Sequence, residues 1–402
     1  MSVSRDWKLV FLESVAQIVN GGTPASGVPG YWNGDVQWLT PRDMGLMQSR
    51  EIAQTPKTIT QDGLRNSSAR LVPETSVILS TRAPIGHLAI NTRPMAFNQG
   101  CRGIVPGGRL DHQFLYYFLL ASRSRLDSLG TGATFKELSA GALRSFQIPL
   151  PPLEEQKRIV AVLDQAFAAL DRARANVEEN MKAAEGLLQG ALDASFEAIA
   201  MKSKPIELQD AVHPDCGLSY GIVQPGDEVD DGLPIVRPVD LTQREIGLAG
   251  LKRINPNAAR GYTRTTLQGG ELLLCVRGST GTVSVASEEL AGANVTRGIV
   301  PIRFDPSRVL RDFAYFQFRS CLVRSQIAEK TYGAALMQIN IKDLRALRFL
   351  VPELDAQREL VQKSEAVLAD TEALCRSYEA QLIDIAALRH SLLQAAFSGQ
   401  LA

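Results

Sequence analysis

The chain has 402 residues, of which 45% are hydrophobic and 21% charged, with 43 basic and 43 acidic side chains. This length favours two or three domains with substantial cores, and the composition excludes a disordered, collagen-like or disulfide-rich protein. The N-terminus lacks the apolar run of a secretory signal, no run approaches the roughly 20 residues of a membrane span, and the five cysteines never form a CxxC pair. We therefore expect a soluble cytoplasmic protein.

The local charge varies along the chain although the total is zero. It is +5 in residues 1–152, −2 in 153–204, +1 in 205–352 and −4 in 353–402. The basic residues of the first and third segments are almost all arginine, whose planar guanidinium suits phosphates and guanine edges. A GC-rich genome produces the same bias, so charge alone does not decide between nucleic-acid binding and an ordinary surface.

Internal repetition is the strongest pattern in the sequence. The block WLTPRDM at 38–44 is echoed by IVRPVDL at 235–241, the segment 76–90 by 271–285, and FLYY at 114–117 by FAYF at 313–316. RGIVP recurs at 102–106 and 297–301, and PPLEEQKRIV at 151–160 matches PELDAQRELV at 352–361. The offset stays between 195 and 201 residues, which indicates a tandem duplication of a unit of about half the chain.

Each copy divides into two parts of different character. The segments 1–152 and 201–352 are rich in Gly, Pro and short β-prone runs, which predict two globular mixed α/β domains. The segments 153–200 and 353–398 lack proline, and their apolar residues recur at heptad-like spacing, which predicts two long spacer helices. Residues 399–402 are a C-terminal tail.

The predicted fold class is α+β, a tandem duplication whose two long helices form an antiparallel coiled coil with pseudo-twofold symmetry. The positions assigned to the coiled coil and to partner docking are Leu163, Phe167, Leu170, Val177, Leu188, Leu368, Leu374, Leu382 and Leu392. The alternative is that each helix folds back on its own domain.

The sequence carries none of the common catalytic motifs. It has no P-loop, no GxGxxG after a predicted strand, no GxSxG and no [DN]PP[YF], and its four histidines lack metal-ligand spacing. Glu155-Gln156-Lys157 matches half of a nuclease motif, but no Pro-Asp precedes it, and a glutamate there suits a helix start. We expect a protein that is not an enzyme and binds no metal or cofactor; a nuclease or methyltransferase in its own right is the rival interpretation.

Polar residues repeated in both copies are the better lead to function. The arginines concerned are Arg42, Arg82 and Arg102 in the first copy and Arg237, Arg277 and Arg297 in the second. Asn98 and Gln99, with Asn294 as the partner of Gln99, supply amides of the type that reads adenine. Lys136 ends the loop GTGATFK, and Tyr332 and Gln338 bound YGAALMQ; these loops either enter a DNA groove or are plain connections. The alternative for the arginines, and for the Asp43/Asp240 pair, is that they are internal salt bridges or turn formers.

The whole chain resembles the specificity subunit of a type I restriction–modification system. The resemblance rests on Gly22-Thr23-Pro24, the 38–43 block, the turn RAPIG at 82–86, the PPLEEQKRIV helix opening and LLQAAFSGQL at 392–401. In the second copy the GTP block has no clear match and APIG becomes GSTG, which fits two domains that read different sequences. Thr23 and Thr40, which lie in these blocks, complete the candidate DNA contacts.

The resemblance implies a division of labour. Each globular domain would be a target-recognition domain that reads one half of a split, asymmetric site in duplex DNA. The helices would set the gap and dock two methyltransferase subunits, which bind S-adenosylmethionine and methylate adenine. Motor subunits that use ATP and Mg²⁺ would add cleavage. A protein-interaction scaffold that has lost DNA specificity is the alternative.

Overall fold

The computed structural model describes residues 7–132, 136–333 and 337–398. The chain divides into two compact units, one made of Met1–Val177 with Ala380–Ala402 and the other of Glu178–Glu379. Each unit therefore contains one of the predicted globular domains and a part of both long helices. We call the two predicted domains head 1 (residues 1–152) and head 2 (residues 201–352).

Head 1 is a mixed domain of short strands and short helices. Its strands are β1 (Lys8–Phe11), β2 (Ala16–Asn20), β3 (Trp32–Leu39), β4 (Glu51–Ile52), β5 (Thr58–Ile59), β6 (Val77–Thr81), β7 (Ile85–Asn91), β8 (Ala96–Phe97), β9 (Cys101–Pro106) and β10 (Gln147–Leu150). Its α-helices are α1 (Pro41–Gly45), α2 (Gln61–Arg65), α3 (His112–Ala121), α4 (Arg123–Ser128) and α5 (Ala140–Arg144).

The largest sheet of head 1 has five strands in the order β2-β9-β6-β7-β4, and a second sheet has the order β5-β3-β8. The β6 strand pairs antiparallel with β7 on one side and with β9 on the other. All five of its residues, VILST, are buried. The β6 strand is therefore central, with both faces covered. This explains why its sequence lacks the alternation of apolar and polar residues that is typical of a half-exposed strand.

Head 2 repeats this topology. Its strands are β11 (Ile206–Glu207), β12 (Leu233–Val236), β13 (Glu245–Ile246), β14 (Lys252–Ile254), β15 (Leu272–Cys275), β16 (Val283–Ala286), β17 (Asn294–Val295), β18 (Ile299–Ile302) and β19 (Arg348–Phe349). The sheets have the orders β13-β16-β15-β18 and β14-β12-β17, which are those of head 1 without the edge strand β2. The predicted duplication of a mixed α/β domain is confirmed.

Helices complete the chain. Those named after α5 in chain order are α6 (Leu153–Ala200), α7 (Leu208–Ala211), α8 (Arg311–Arg319), α9 (Cys321–Glu329), α10 (Ile341–Arg345) and α11 (Leu354–Ser398). The α6 and α11 helices have 48 and 45 residues and are the two predicted long helices. Pro152 lies directly before α6 and Pro352 two residues before α11, where a missing N–H costs no helical hydrogen bond.

Each long helix has a buried glutamine in its first turn that holds it to a head. The side chain of Gln156 is fully buried, and its carbonyl oxygen accepts a hydrogen bond of 2.8 Å from the backbone N–H of Asp111. Its amide nitrogen donates to the carbonyls of Pro151 (2.8 Å) and Arg109 (2.9 Å). Gln357 makes the same three bonds to the equivalent groups of head 2, each at 2.8 Å. The glutamine of the PPLEEQ block is therefore a structural anchor.

The helices run antiparallel within each unit. In the first unit Leu163 and Phe167 of α6 share one core with Phe397 near the end of α11. In the second, Leu188 near the end of α6 shares a core with Leu368 in the first half of α11. Residues of the adjoining head belong to both cores. In each unit the two long helices therefore pack both against each other and against the head. The sequence had left these two arrangements as alternatives.

Burial separates the residues assigned to the helix seam. Leu163, Phe167, Val177, Leu188 and Leu368 are buried. Leu170, Leu382 and Leu392 are half-buried. Leu374 is 42% exposed and is not part of a buried seam, because the stripe of α11 continues from Leu368 through Thr371 to Cys375.

Candidate nucleic-acid interface

Most of the predicted polar residues of head 1 lie together at one end of its large sheet. Arg82 directly follows β6, Arg102 lies in β9, and Thr23 comes after β2. Since β2, β9 and β6 are neighbours in the sheet, these residues are brought close to one another. They form the head 1 cluster, which comprises Thr23, Arg82, Asn98, Gln99, Arg102 and Glu137.

Glu137 connects the two arginines of this cluster. Its backbone pairs with that of Arg82, and its carboxylate lies 3.9 Å from the Arg82 guanidinium and 3.6 Å from that of Arg102. Arg102 is the more enclosed arginine, with 13% of its side chain exposed, and burial lowers its pKa. One carboxylate thus offsets half of the positive charge. Sequence reasoning missed Glu137, since no motif marks it.

The other polar side chains of the cluster differ in whether they bind the backbone or lie at the surface. The amide oxygen of Asn98 accepts a 2.6 Å hydrogen bond from the backbone N–H of Gly100, so this side chain shapes the turn before β9. Gln99 is exposed, and its amide oxygen accepts a hydrogen bond from the Thr23 hydroxyl. Thr23 and Gln99 therefore present polar atoms at the surface, whereas Asn98 serves the backbone.

Head 2 departs from the register that the repeated RGIVP sequence predicts. In head 1 Ser80 of β6 pairs with Cys101 of β9. Cys275 of β15 corresponds to Ser80, and the repeated sequence would place Thr296 opposite it. The observed partner of Cys275 is instead Ile299, three residues later. The cause is the connection before β17 (residues 287–293), which is three residues longer than the one before β8 (residues 92–95).

This shift changes which residues correspond. Arg297 takes the place of Gln99 rather than that of Arg102, whose counterpart is Val300. Asn294 is 1% exposed, its amide oxygen accepts from the Thr265 hydroxyl at 2.8 Å, and its amide nitrogen donates to the carbonyl of Tyr262 at 3.1 Å. The prediction that Asn294 faces DNA is therefore wrong, because its amide is used inside the core.

Arg277 and Arg297 lie together in head 2. The backbone of Arg277 pairs with that of Gln338, as Arg82 pairs with Glu137. The head 2 cluster comprises Arg277, Thr296, Arg297, Tyr332 and Gln338. Arg277 and Arg297 line an open cavity of about 310 Å³, whose other walls are formed by Ile222, Val223, Pro225, Pro238, Thr296 and Gly298.

The two guanidinium groups of this cavity are unneutralised. Within the described part of the chain neither Arg277 nor Arg297 forms an ion pair, and the Nε of Arg277 is buried with no hydrogen-bond partner. Arg297 is exposed and lies over the ring of Tyr220, 6.0 Å from its centroid. The cavity is therefore lined by two positive charges without a neutralising carboxylate, whereas the buried Nε without a partner is a feature that Arg277 shares with Arg102 of head 1.

The turn after β3 and its counterpart after β12 are closed by the repeated aspartates. The Thr40 hydroxyl donates to the Asp43 carboxylate at 2.7 Å, and the two residues form a capping box at the start of α1. In head 2 the Arg237 guanidinium donates to Asp240 at 2.8 Å. The turn-former interpretation of the Asp43/Asp240 pair is thus the one that the structure supports.

Arg237 occupies the position of Thr40 in this turn, so it is not the counterpart of Arg42. The residue in the place of Arg42 is Val239, which is 70% exposed. Arg42 itself is exposed and has no salt bridge or hydrogen bond within the described residues. The same turn thus presents a free cation in head 1 and an apolar side chain in head 2.

The predicted loop residues lie beside these clusters. Lys136 forms a 2.6 Å ion pair with Asp127. Tyr332 is 49% exposed, and its hydroxyl accepts a 3.3 Å hydrogen bond from Gln338. Thr134 and Phe135, and residues 334–336 of the YGAALMQ loop, lie outside the described residues.

An arginine clamp between head and helix, which sequence reasoning missed, occurs in both units. Arg50, just before β4, forms a bidentate ion pair with Asp164 of α6, and the hydroxyl of Tyr117 donates to the same carboxylate. Arg244, just before β13, binds Glu365 of α11 at 2.7 Å. The available signal was positional, since both arginines precede a Glu-Ile pair at equivalent places in the repeat.

Electrostatics reinforces the first clamp. Burial opposes ionisation of Asp164, but hydrogen bonds from Arg50 and Tyr117 outweigh it and hold the pKa of this carboxyl below its usual range. Burial, together with the hydrogen bond to Asp164, raises the pKa of Tyr117. Tyr117 therefore stays a neutral donor beside an ionised carboxylate at physiological pH.

The described residues hold no group of three or more His, Cys, Asp or Glu side chains that could bind a metal ion. Among those same residues no helix is both long enough and apolar enough to span a membrane.

Comparison with known proteins finds one kind of relative. The model of the type I restriction modification DNA specificity domain matches residues 4–179. The specificity subunit of the type I restriction enzyme MjaIX from Methanocaldococcus jannaschii is 25% identical, over 99% of this chain and 94% of its own length. That of EcoBI from Escherichia coli is 23% identical, over 100% and 87%. Residues 4–179 thus match the type I DNA specificity domain, and the chain over nearly its full length is similar to type I restriction enzyme specificity subunits.

Solved structures agree on the fold of these specificity subunits. A chain from a study of assembly and conformational transition of the type I R-M system superposes with a TM-score of 0.75, at 18% identity over 99% of both chains. The HsdS subunit from Thermoanaerobacter tengcongensis gives a TM-score of 0.55, at 17% identity over 99% of this chain and 98% of its own. The predicted resemblance to specificity subunits and the predicted fold class are both confirmed.

Proposed function

We propose that this specificity subunit recognises a split site in duplex DNA, with one half read by each head. The observation that carries the proposal is the recurrence of an arginine-containing polar cluster at the same end of the same sheet in both heads of a member of this family. Arginine, glutamine and threonine are side chains that contact phosphates and base edges. The chain itself has the recognition role and is not an enzyme.

The proposed division of the chain follows the repeat. Residues 1–152 and 201–352 are the target-recognition domains, and residues 153–200 and 353–398 are the spacer helices that set the gap between half-sites. Half-site centres about one helical turn apart, 10–10.5 bp, would place both heads on one face of the duplex.

Partner subunits supply the chemistry. Two modification subunits dock on the spacer helices, bind S-adenosylmethionine and methylate adenine, and a motor subunit, where present, uses ATP and Mg²⁺. The exposed apolar residues of the helices support this docking; they are Leu187, Leu374, Ile383 and Leu388. The cytoplasm is the proposed location, because DNA and these cofactors are there.

The DNA-contacting set is refined by the side-chain positions. The residues kept are Thr23, Arg42, Arg82, Gln99, Arg102, Lys136, Arg237, Arg277, Arg297, Tyr332 and Gln338. Thr40 and Asn98 act through the turns that they cap. Near-zero net charge fits a subunit whose partners provide much of the phosphate contact, so we expect the isolated chain to bind DNA weakly and the assembled methyltransferase to bind it tightly.

The decisive experiment is the methylome of a host that expresses this chain with its modification subunit, compared with a host that lacks the chain. Adenine methylation at one motif of two short blocks with a fixed gap is the expected result. Replacement of residues 201–352 by the head of another member should change one block only. A methylome that does not depend on this chain would contradict the proposal and favour a scaffold without DNA specificity.

A further inference from the structure

The two clusters differ in charge at one equivalent position. Glu137 and Gln338 both pair through the backbone with the arginine that follows the central strand, Arg82 in head 1 and Arg277 in head 2. The next residue in each copy bonds back to the strand end, from Leu138 N to Thr81 O at 2.9 Å in head 1 and at 3.1 Å at the matching place in head 2. The two side chains therefore occupy the same place in the fold.

The neighbours of this position increase the difference. In head 1 the carboxylate of Glu137 lies within 4 Å of two guanidinium groups, Arg82 at 3.9 Å and Arg102 at 3.6 Å. In head 2 the side chain of Gln338 is neutral, and the register shift brings Arg297 to the exposed turn position that glutamine holds in head 1. The summed charge of Arg82, Arg102 and Glu137 in head 1 is thus +1. That of Arg277, Arg297 and Gln338 in head 2 is +2.

The head 2 cavity has what an anion site needs. Two arginines line it, and neither forms an ion pair with a carboxylate among the described residues. An incoming anion gains the Coulomb attraction of both guanidinium groups and charge-assisted hydrogen bonds from them. The walls beyond the arginines are mostly apolar or neutral, namely Ile222, Val223, Pro225, Pro238, Thr296 and Gly298.

We propose that Arg277 and Arg297 form a binding site for a phosphate of the DNA backbone, and that Glu137 suppresses the equivalent site in head 1. The inference rests on the proposed function and deepens it, because it assigns unequal roles to the two heads. At these equivalent positions head 2 therefore contributes a salt-dependent phosphate contact that head 1 lacks.

The chain offers a reciprocal exchange as the test. Gln338→Glu introduces into head 2 the carboxylate of head 1, and Glu137→Gln removes it from head 1; both changes keep the side-chain size. The assay measures binding of the full chain, assembled with its modification subunits, to a duplex containing the methylated motif and to a scrambled duplex, over a range of salt concentrations.

We expect Gln338→Glu to weaken binding to both duplexes by about tenfold at low salt and to reduce the slope of log K against log salt by about one, the value for one lost phosphate contact. Glu137→Gln should strengthen binding and steepen the slope. Arg297→Gln, which removes an exposed side chain without an internal ion pair, should reproduce the effect of Gln338→Glu.

The control is Gln268→Glu, which adds the same charge at an exposed position before β15, at the opposite strand end from Arg277. It should leave the slope unchanged. An unchanged slope for Gln338→Glu would overturn the proposal, as would a new methylated motif, because the latter would mean that Gln338 reads a base. If the wild-type complex methylates no motif the proposed function fails, but the slope on the scrambled duplex still tests the phosphate site.

Discussion

Head 1 and head 2 agree where they join the long helices and differ where they are exposed. Gln156 and Gln357 make the same three hydrogen bonds, and Arg50 and Arg244 each bind a helix carboxylate. At the clusters, by contrast, the register of β18 has shifted and a neutral side chain stands in the place of Glu137. The duplication therefore preserved how a head is attached to the long helices and changed the polar side chains at its exposed cluster.

The largest expected effect concerns the aromatic residues that hold each helix to a head. Phe397 of α11 packs with ring centroids 5.3 Å from both Phe114 and Phe118, and Phe196 of α6 packs 5.5 Å from Phe313. Both phenylalanines are at most 1% exposed. Phe397→Ala and Phe196→Ala should each lower the free energy of unfolding by about 3–5 kcal/mol through lost burial and the cavity left behind.

Urea denaturation followed by circular dichroism measures this effect, and hydrogen exchange locates it. Each variant should lose protection mainly in its own unit. The matched controls are Ile383→Ala and Leu187→Ala, whose side chains are 69% and 63% exposed on the same helices. Losses in the controls as large as in the phenylalanine variants would show that these helix ends are not held by their aromatic packing.

The glutamine anchors should give the next largest effect. Gln156→Leu and Gln357→Leu leave a buried N–H and two carbonyls without partners, which should cost about 2–3 kcal/mol in each unit. Gln165→Leu and Gln362→Leu, at exposed positions of the same helices, are the controls. Because the bonding is the same in both units, the two losses should be similar. A loss in one unit alone would contradict their equivalence.

The arginine clamps, the ion pairs of Arg50 and Arg244 with the long helices, should give the third largest effect. Arg50→Met and Arg244→Met keep the apolar stem of the side chain and remove its charge. Each should lower the free energy of unfolding by about 1 kcal/mol, because the pairs are partly exposed and screened by solvent. Thermal denaturation at low and high salt is the measurement. A variant as stable as the wild type at both salt concentrations would show that the clamp contributes no stability.

The fold could be predicted from the sequence because of the repeat, in which each apolar run occurs twice in the same order. The β6 and β15 strands are continuous apolar runs, and both long helices lie in segments without proline. Leu374 is exposed and outside the buried seam, because a heptad count cannot tell which of two adjacent stripes is covered. Burial of α11 depends on what lies beside each turn, and that is a property of tertiary packing.

The candidate site was less predictable. The exact repetition of RGIVP suggested a register that an added three residues before β17 overrides, so Arg102 and Arg297 are not equivalent. Glu137 lies 35 residues along the chain from Arg102, and only the sheet brings them together. The partner of an arginine is therefore a matter of three-dimensional pairing, which sequence repetition does not encode.

The smallest expected effect concerns pH and the first unit. Burial works against ionisation of Asp164, but the hydrogen bonds from Arg50 and Tyr117 lower the pKa of this carboxyl in the folded chain. A carboxyl whose folded pKa is depressed contributes stability above its unfolded pKa, about 4, and loses that contribution as pH falls through the folded value. The wild-type protein should therefore lose stability progressively below about pH 4 from this group.

Asp164→Asn removes the titrating carboxyl and keeps the size of the side chain. Its free energy of unfolding should be lower than that of the wild type by less than about 1 kcal/mol at pH 7, since about a third of the side chain is exposed. The difference should shrink as pH falls toward 3, because protonation removes the same charge from the wild type. A difference that stays constant from pH 7 to pH 3 would mean that the charge of Asp164 does not stabilise the clamp, and that shape and hydrogen bonding alone hold head 1 to its helix.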